Sequence, residues 1–340
     1  MKRAISILKK ISLIIFFILP VFNHTFGQDA KKYTELVTEA YQLYKSKEYL
    51  KSAQKYNEAF AVFGNKAITN DRYNAACSWA LANEMDSAFV LLFKIAVNDK
   101  YSNIEHITKD VDFNSIHNDL RWAKIIEIVT NNKEKAEVNF DKTLVAILDT
   151  VYQDDQKYRL ELDTMIEKYG WNSAEIKAQW KIINEKDSIN LVKIKKILEE
   201  RGWLGVDIIG VKGNTTLFLV IQHANRETQE KYLPVMREAV KKGNAKAQNL
   251  AYLEDRVALR KGEKQIYGSQ ITHRFATEDR PEEIYVRPLI DPDNVDKRRA
   301  EVGLGSIQEI LSQYGLIWDA EEYKKKLPEY EEKEWGKNKK

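Results

Sequence analysis

The sequence has little cysteine, proline or glycine. Its 340 residues include one cysteine, Cys77, with 6 prolines and 14 glycines. A single cysteine excludes an internal disulfide and a paired-cysteine metal site. Because proline and glycine interrupt helices, their scarcity favours long helices joined by few turns. We therefore expect a mainly α fold that depends on its hydrophobic core rather than on cross-links.

Clustered positive charge is also lacking. The chain has 54 Lys and Arg against 51 Asp and Glu, for a formal net charge of +3. Four of the basic residues lie within residues 1–27, which contain no acid, and removing that segment would leave a net charge of −1. Nucleic-acid binding requires a clustered basic face, so we expect no nucleic-acid partner.

Residues 1–27 have the three parts of a secretory signal peptide. Basic residues come first, an apolar run follows from Ile11 to Phe22, and Thr25-Phe26-Gly27 resembles a cleavage site. The run of about twelve residues is shorter than the roughly 20 that span a bilayer, which favours a cleaved signal over a membrane anchor. We predict cleavage before Gln28. The mature protein is then periplasmic or secreted, with no membrane span.

Two segments 36 residues apart share one spacing of small and large residues. Ala40 and Leu43 in the first correspond to Ala76 and Trp79 in the second. The pattern resembles the tetratricopeptide repeat, in which antiparallel helix pairs recur every 34 residues or so. It predicts a helical-repeat domain over residues 28–131.

A third segment resembles the ending that follows such repeats in exported bacterial proteins. It contains Asp110-Val111-Asp112-Phe113 and then Asp119-Leu120-Arg121-Trp122, and would cover the open apolar end of the stack. Two repeats would form only a small groove for gripping a peptide. A bracing or docking role, with a protein partner, is therefore favoured over peptide capture.

The rest of the chain predicts a second, mostly helical domain over residues 138–316. The polar stretch Asn131–Lys135 marks its boundary, and residues 319–340 form a charged tail that fits a solvated or frayed helix. Two short strands, Gln265–Phe275 and Glu283–Leu289, predict a β-hairpin.

Two apolar segments of this domain place polar residues beside a core. Leu217–Ile221 fits either a strand or a buried helix, with helix favoured, and it ends next to His223. Ala245–Arg260 is apolar on nearly every face, which predicts a buried helix. Asp255 and Arg256 would then lie in or beside the core, where charges persist only when they are paired.

Polar and glycine motifs follow one another through the second domain. In chain order they are Asp155-Gln156-x-x-Arg159, Asp187-x-x-Asn190, Gly202-Trp203, Gln222-His223-Ala224, Tyr252-Leu253-x-Asp255-Arg256, Gln265-x-Tyr267-Gly268-Ser269-Gln270, Arg298-Arg299 and Gly303-Leu304. The ordered set resembles the bacterial family catalogued as domain of unknown function 6624, over about residues 140–315. Leu204 departs from the family, which commonly has a proline after the aromatic residue. The resemblance implies an architecture and a shortlist of residues, but no reaction.

The shortlist fits either a structural network or a pocket at the junction of the helices and the hairpin. Asp155 and Arg159 are spaced i,i+4 and Asp187 and Asn190 i,i+3, so each pair shares a helical face. Satisfied buried networks are common for single residues. A pocket is favoured for the whole set, because so many buried polar groups cost too much to serve packing alone. The ligand-binding candidates are Asp155, Gln156, Arg159, Asp187, Asn190, Gln222, Tyr267 and Gln270.

Two functions are compatible with these residues. The favoured one is a binding module for a small polar ligand, because no recognisable catalytic motif is present. The alternative is an envelope-associated hydrolase or transferase with His223 as general base, oriented by Asp255 or Asp187. In that mechanism Arg159 or Arg256 would stabilise developing negative charge.

Other chemistry has weaker support in the sequence. Ser269 is the nearest candidate nucleophile, but no feature places it beside His223. A metal site is a third option, since His223 with Asp155, Asp187 and Asp255 offers suitable ligand types. No His-x-x-x-His or cysteine pair sets a metal geometry, and no glycine loop is set to cradle phosphates. We therefore expect no metal or other cofactor.

Overall fold

The computed structural model describes residues 19–274 and 283–336. Residues 1–18 of the predicted signal peptide therefore lie outside the described residues. The chain divides into two compact units, with the division between Val138 and Asn139. Among the helices in the two described ranges, none combines the length and the apolar character needed to cross a membrane.

The first unit is entirely helical over its described residues. Ala40 and Ala76 are fully buried where consecutive helices pack against one another, and the Ser52 hydroxyl donates to the Ala40 carbonyl at 2.8 Å. Small residues thus allow the close approach that the spacing predicts. The elements are α1 (Leu19–Lys45), α2 (Tyr49–Val62), α3 (Thr69–Leu81), α4 (Met85–Val97), α5 (Ile104–Lys109), a 3-10 helix (Val111–Ile116) and α6 (Leu120–Ala136).

The end of the first unit is part of its core. Phe113 and Trp122 are both buried there, with ring centroids 5.7 Å apart. The polar stretch Asn131–Lys135 lies within α6 rather than in a linker. Its Asn132 side chain donates to the carbonyls of Ala96 and Tyr101, at 2.7 and 3.0 Å, which attaches this part of α6 to α4 and to the loop after it.

The second unit has helices around a core, followed by a two-stranded antiparallel sheet. The strands pair Ile271 with Val286. This confirms the predicted fold class, which is mainly α with a small β-hairpin. The elements are α7 (Lys142–Leu160), α8 (Leu162–Tyr169), α9 (Ala174–Arg201), α10 (Val206–His223), α11 (Arg226–Lys241), α12 (Ala247–Lys261), β1 (Ile271–Arg274), β2 (Glu283–Val286), a 3-10 helix (Pro292–Asn294), α13 (Val295–Glu301), α14 (Ile307–Ser312) and α15 (Ala320–Trp335).

The apolar run Leu217–Ile221 belongs to helix α10, as favoured from the sequence. The run is apolar all round because the helix contacts α7, α9, α11 and α12. Gly210, at φ 69°, interrupts the helical conformation near its start. A side chain there would meet the ring of Phe140, at 3.0 Å from its Cβ, so the position also requires glycine for space.

Two predictions for the end of the chain are wrong. Tyr267, Ser269 and Gln270 were expected on a strand, but they lie in the loop before β1. The tail was expected to be solvated or frayed, but α15 packs on the β-hairpin. Its Tyr323 is buried, and its Tyr330 ring stacks on the ring of Tyr285 at 4.3 Å between centroids. The aromatic residues thus anchor a helix whose other positions are mostly charged.

Candidate functional site

A buried carboxylate holds the histidine at the end of α10. Asp155 on α7 is 1% exposed, and its Oδ1 lies 3.0 Å from His223 Nδ1. Its Oδ2 accepts from Gln156 Nε2 at 2.7 Å. The sequence suggested Asp255 or Asp187 as the group that orients His223; the structure places Asp155 there instead. Within the described residues His223 Nε2 makes no hydrogen bond, so this nitrogen is free to exchange a proton with a bound molecule.

Arg159 joins two carboxylates beside this pair. Its guanidinium lies 3.5 Å from Asp155 Oδ1 and donates to Asp187 Oδ2 on α9 at 2.6 Å. Burial by itself raises the pKa of Asp155. The hydrogen bond from His223 and the electrostatic interactions with His223 and Arg159 outweigh burial, so the pKa of Asp155 is lowered overall. Asp155 is therefore ionised at neutral pH.

The same residues have the ligand types of a metal site. Ligand atoms of Asp155, Asp187 and His223 all lie within 4.8 Å of one another. The guanidinium of Arg159 already contacts both carboxylates, so a metal ion would meet its positive charge at close range. The geometry therefore favours an internal arginine–carboxylate cluster over a metal centre.

A second group of possible metal ligands lies in the first unit. It consists of Cys77, Asp110 and Asp112. Burial, and next the negative charges of the two aspartates, raise the pKa of the Cys77 thiol. Without a bound cation the thiol therefore stays protonated, and binding of a metal ion there would have to release that proton.

Arg256 on α12 is a partly buried cation that, unlike Arg159, has only neutral hydrogen-bond acceptors around it. Its Nη1 donates to the carbonyl of Gln222 at 2.9 Å, and its Nε donates to Gln270 Oε1 at 3.2 Å. Both acceptors are neutral, and no carboxylate among the described residues pairs with it. Burial, together with the like charges of Arg260, Arg287 and Arg159, lowers its pKa to about 10. It remains charged at neutral pH, without a counter-ion.

Several acceptors in this region also lack partners. Asn190 is fully buried, and only its Nδ2 makes a hydrogen bond, to the Val151 carbonyl at 3.4 Å. Among the described residues, the buried oxygens Asp187 Oδ1, Asn190 Oδ1 and Gln222 Oε1 accept no hydrogen bond. These three oxygens can each accept a hydrogen bond from a further donor.

Asp255 has a structural position. It is fully buried, and it accepts hydrogen bonds from the backbone N–H groups of Ile266 at 2.6 Å, Tyr267 at 3.0 Å and Ser269 at 2.9 Å. Its two oxygens are thus occupied by the loop before β1. No hydrogen bond in the described residues joins His223 to Asp255 or Ser269, so this arrangement opposes the catalytic role considered for Asp255.

An open cleft of about 1090 Å³ lies at the junction of α12, the following loop, the segment after β2 and α15. A pocket was expected at this junction, but none of the predicted ligand-binding residues lines it. Arg260 and Arg287 do, and both escaped the sequence-based shortlist. The i,i+4 spacing of Arg256 and Arg260 was the signal that could have identified the first of them.

Comparison with known proteins gives one match. A family model described as "Family of unknown function (DUF6624)" matches residues 142–326, a range that contains both the Asp155–His223 pair and the cleft arginines. No curated protein and no solved structure matches the chain. The family match does not reach residues 28–131, so the tetratricopeptide resemblance of that part stays a prediction.

Proposed function

Since the chain belongs to DUF6624, a family of unknown function, its activity has to be inferred from the site, and we propose that the second unit is a binding module for a small polar ligand with an acidic group. The observation that carries the proposal is the uncompensated charge of Arg256. A partly buried guanidinium without a carboxylate carries a desolvation cost, and an anionic ligand would offset that cost. Arginine also suits carboxylate and phosphate groups because it can donate two parallel hydrogen bonds.

The neighbouring groups suit the rest of such a ligand. His223 Nε2 can donate to or accept from it, and the Asp155 carboxylate fixes the orientation of the imidazole ring. The unsatisfied oxygens of Asp187 and Asn190 would accept from a donor group. A ligand with one acidic group and N–H or O–H groups therefore fits this site better than a purely apolar one does.

Replacing Arg256 with glutamine is expected to weaken the binding of small anions. Charge-assisted hydrogen bonds contribute about 1.5–3 kcal/mol, so the affinity should fall roughly 10- to 100-fold. Isothermal titration of the purified full chain with inorganic phosphate, and separately with acetate, measures this change. Glutamine keeps a hydrogen-bond donor for the Gln222 carbonyl, which limits the structural effect of the substitution.

Arg237→Gln is the matched control. Arg237 is about half exposed and pairs with Glu254 at 2.8 Å, so its removal subtracts the same charge from a compensated position. The affinity of the Arg237→Gln variant for either probe should stay within about twofold of that of the unsubstituted chain, because the pair it breaks is a screened surface pair. Equal binding by folded Arg256→Gln and unsubstituted protein, or no saturable binding by the unsubstituted protein, would overturn the proposal.

The alternative is an enzyme of the hydrolase or transferase class that acts on an envelope component. The Asp155–His223 pair favours it, because a carboxylate-oriented imidazole with a free nitrogen is the geometry of a general base. Incubating the chain with a panel of envelope substrates distinguishes the two functions. Conversion of a substrate that His223→Gln abolishes would establish the enzyme, whereas binding without conversion supports the module.

We also propose that the protein is exported and that its helical repeats dock it to a protein partner. The basic start, the short apolar run and Thr25-Phe26-Gly27 support the export. Expression of the complete sequence in a bacterium should give a mature chain that begins at Gln28. Intact-mass spectrometry of the purified protein tests this, and a mass that retains Met1–Gly27 would contradict the cleavage.

A further inference from the structure

A second uncompensated arginine lies one helical turn from Arg256. Arg260 follows it at i+4 on α12, about 6 Å further along the helix axis. Its Nη1 donates to the Ala224 carbonyl and to Gln229 Oε1, both at 2.9 Å. The segment that ends α10 thus holds both guanidinium groups by backbone carbonyls, since Arg256 donates to the carbonyl of Gln222. These bonds orient the two side chains without neutralising them.

The other arginines near Arg256 and Arg260 each pair with a carboxylate. Arg159 pairs with Asp187 at 2.6 Å, Arg226 pairs with Glu230 at 2.6 Å, and Arg287 pairs with Glu334 at 2.5 Å. Arg260 has no such pair within the described part of the chain. Arg260 as a residue is exposed, but desolvation of its guanidinium by the surrounding protein, and next the charge of Arg287, lower its pKa.

Arg260 also lines the open cleft, and Arg256 does not. Of the fourteen lining residues, five are Lys or Arg and three are Glu. Two of these acids are already paired, since Glu331 lies 2.6 Å from Lys264 and Glu334 pairs with Arg287. Since Arg226, Lys264 and Arg287 are each in such a pair, Arg260 and Lys261 remain against the single acid Glu263. The cleft thus keeps a small excess of positive charge, and its volume of about 1090 Å³ leaves room for an organic molecule.

We propose that the ligand carries two acidic groups, one held by Arg256 and the other by Arg260 at the wall of the cleft. This inference rests on the proposed function, and it narrows the ligand class to molecules with two separate acidic groups, such as a dicarboxylate or a bisphosphonate with a three-carbon spacer. Their acidic groups are separated by about one helical turn. Two cations fixed in one orientation favour such a ligand over a single anion, because the second contact costs little additional ordering.

The experiment compares single and double anions on the full chain. Titrations use methylphosphonate against propane-1,3-bisphosphonate, and acetate against glutarate. We expect the dianion of at least one pair to bind about tenfold or more tightly than its single counterpart. In Arg260→Gln this advantage should disappear, while the affinity for the single anion stays within about twofold. The pair with the larger advantage distinguishes a phosphate ligand from a carboxylate ligand.

Two further variants keep the result interpretable. Lys261→Gln removes the same charge from an exposed neighbour that also lines the cleft, and it should leave most of the dianion advantage intact. Arg260→Lys keeps the charge and should retain part of the advantage even if the glutamine variant folds poorly. A Lys261→Gln effect as large as that of Arg260→Gln would indicate general charge attraction and overturn the proposal.

The remaining outcomes separate the two proposals. If single and double anions bind equally to the unsubstituted chain, the second acidic group is overturned while the binding of one anion at Arg256 stands. If Arg260→Gln weakens single and double anions by the same factor, the two arginines serve one group, which also overturns it. If no probe binds, the proposed function fails, and this inference fails with it.

Discussion

Asp255→Ala is expected to destabilise the second unit by about 3–5 kcal/mol. The carboxylate is fully buried and accepts the backbone N–H groups of Ile266, Tyr267 and Ser269. Alanine would leave these donors buried without acceptors and would also leave a cavity. Urea unfolding at neutral pH, followed by tryptophan fluorescence, measures the free energy of unfolding.

Two further substitutions serve as comparisons for Asp255→Ala. Burial raises the pKa of Asp255 even though the N–H donors act in the opposite direction, so its charge is costly to bury. Asp255→Asn removes that charge and keeps one acceptor oxygen, and it should therefore cost less than alanine. Glu263→Ala, at an exposed position just beyond α12, should change stability by no more than about 0.5 kcal/mol. A loss below about 1 kcal/mol for Asp255→Ala would show that Arg298 and Arg299, which donate to the carbonyls of Ile266 and Tyr267, suffice to hold the loop.

The helices were predictable because the residues that begin and end each helix lie next to it in the sequence. Ser173 caps α9 by accepting from the Ile176 N–H at 3.2 Å, and Gly202 ends the same helix at φ 68°. The loop before β1 was not predictable in this way. Its residues alternate in a manner that fits a strand, but Asp255 takes the backbone donors that a strand would have used. A tertiary hydrogen bond thus overrides a local preference.

The candidate site was predictable as a set of residues, but its pairings were not. Asp155 and His223 are 68 residues apart, so helical spacing contains no information about their contact. It did predict that Asp155 and Arg159 share a face, because this relation is within one helix. Arg260 lies four residues after the Asp255-Arg256 motif, but its lack of a carboxylate partner is a property of the folded chain that the sequence does not show.

The different partners of Arg159 and Arg256 explain why we assign the first a structural role and the second a binding role. Both lie near His223, and both were candidates for stabilising negative charge. Arg159 contacts two carboxylates, which compensate its charge, whereas Arg256 contacts only neutral oxygens. Removing the first should therefore damage folding, and removing the second should damage binding.

Acid should weaken the cluster that Arg159 completes. Because the pKa of Asp155 is lowered in the folded chain, its ionised form is stabilised by folding. The resulting stability is fully present above the unfolded-state pKa of about 3.9 and is lost as the pH falls through the lower, folded-state value. Any variant that weakens the cluster should thus differ most from the unsubstituted chain at neutral pH, and the difference should shrink in acid.

Arg159→Met is the variant that tests this dependence, and we expect it to cost about 3–5 kcal/mol at pH 7. Methionine keeps much of the apolar stem but leaves Asp155 and Asp187 as neighbouring carboxylates without their cation. Urea unfolding at pH 7 and at about pH 3 measures both the loss and its decrease on protonation. Arg201→Met, which breaks a half-exposed pair with Asp141 at 3.0 Å, should cost no more than about 1 kcal/mol and serves as the control. Adding Asp187→Asn should recover part of the loss, because it removes one of the two repelling charges. A small loss that is the same at both pH values would show that Asp155 is stabilised by His223 and Gln156 alone.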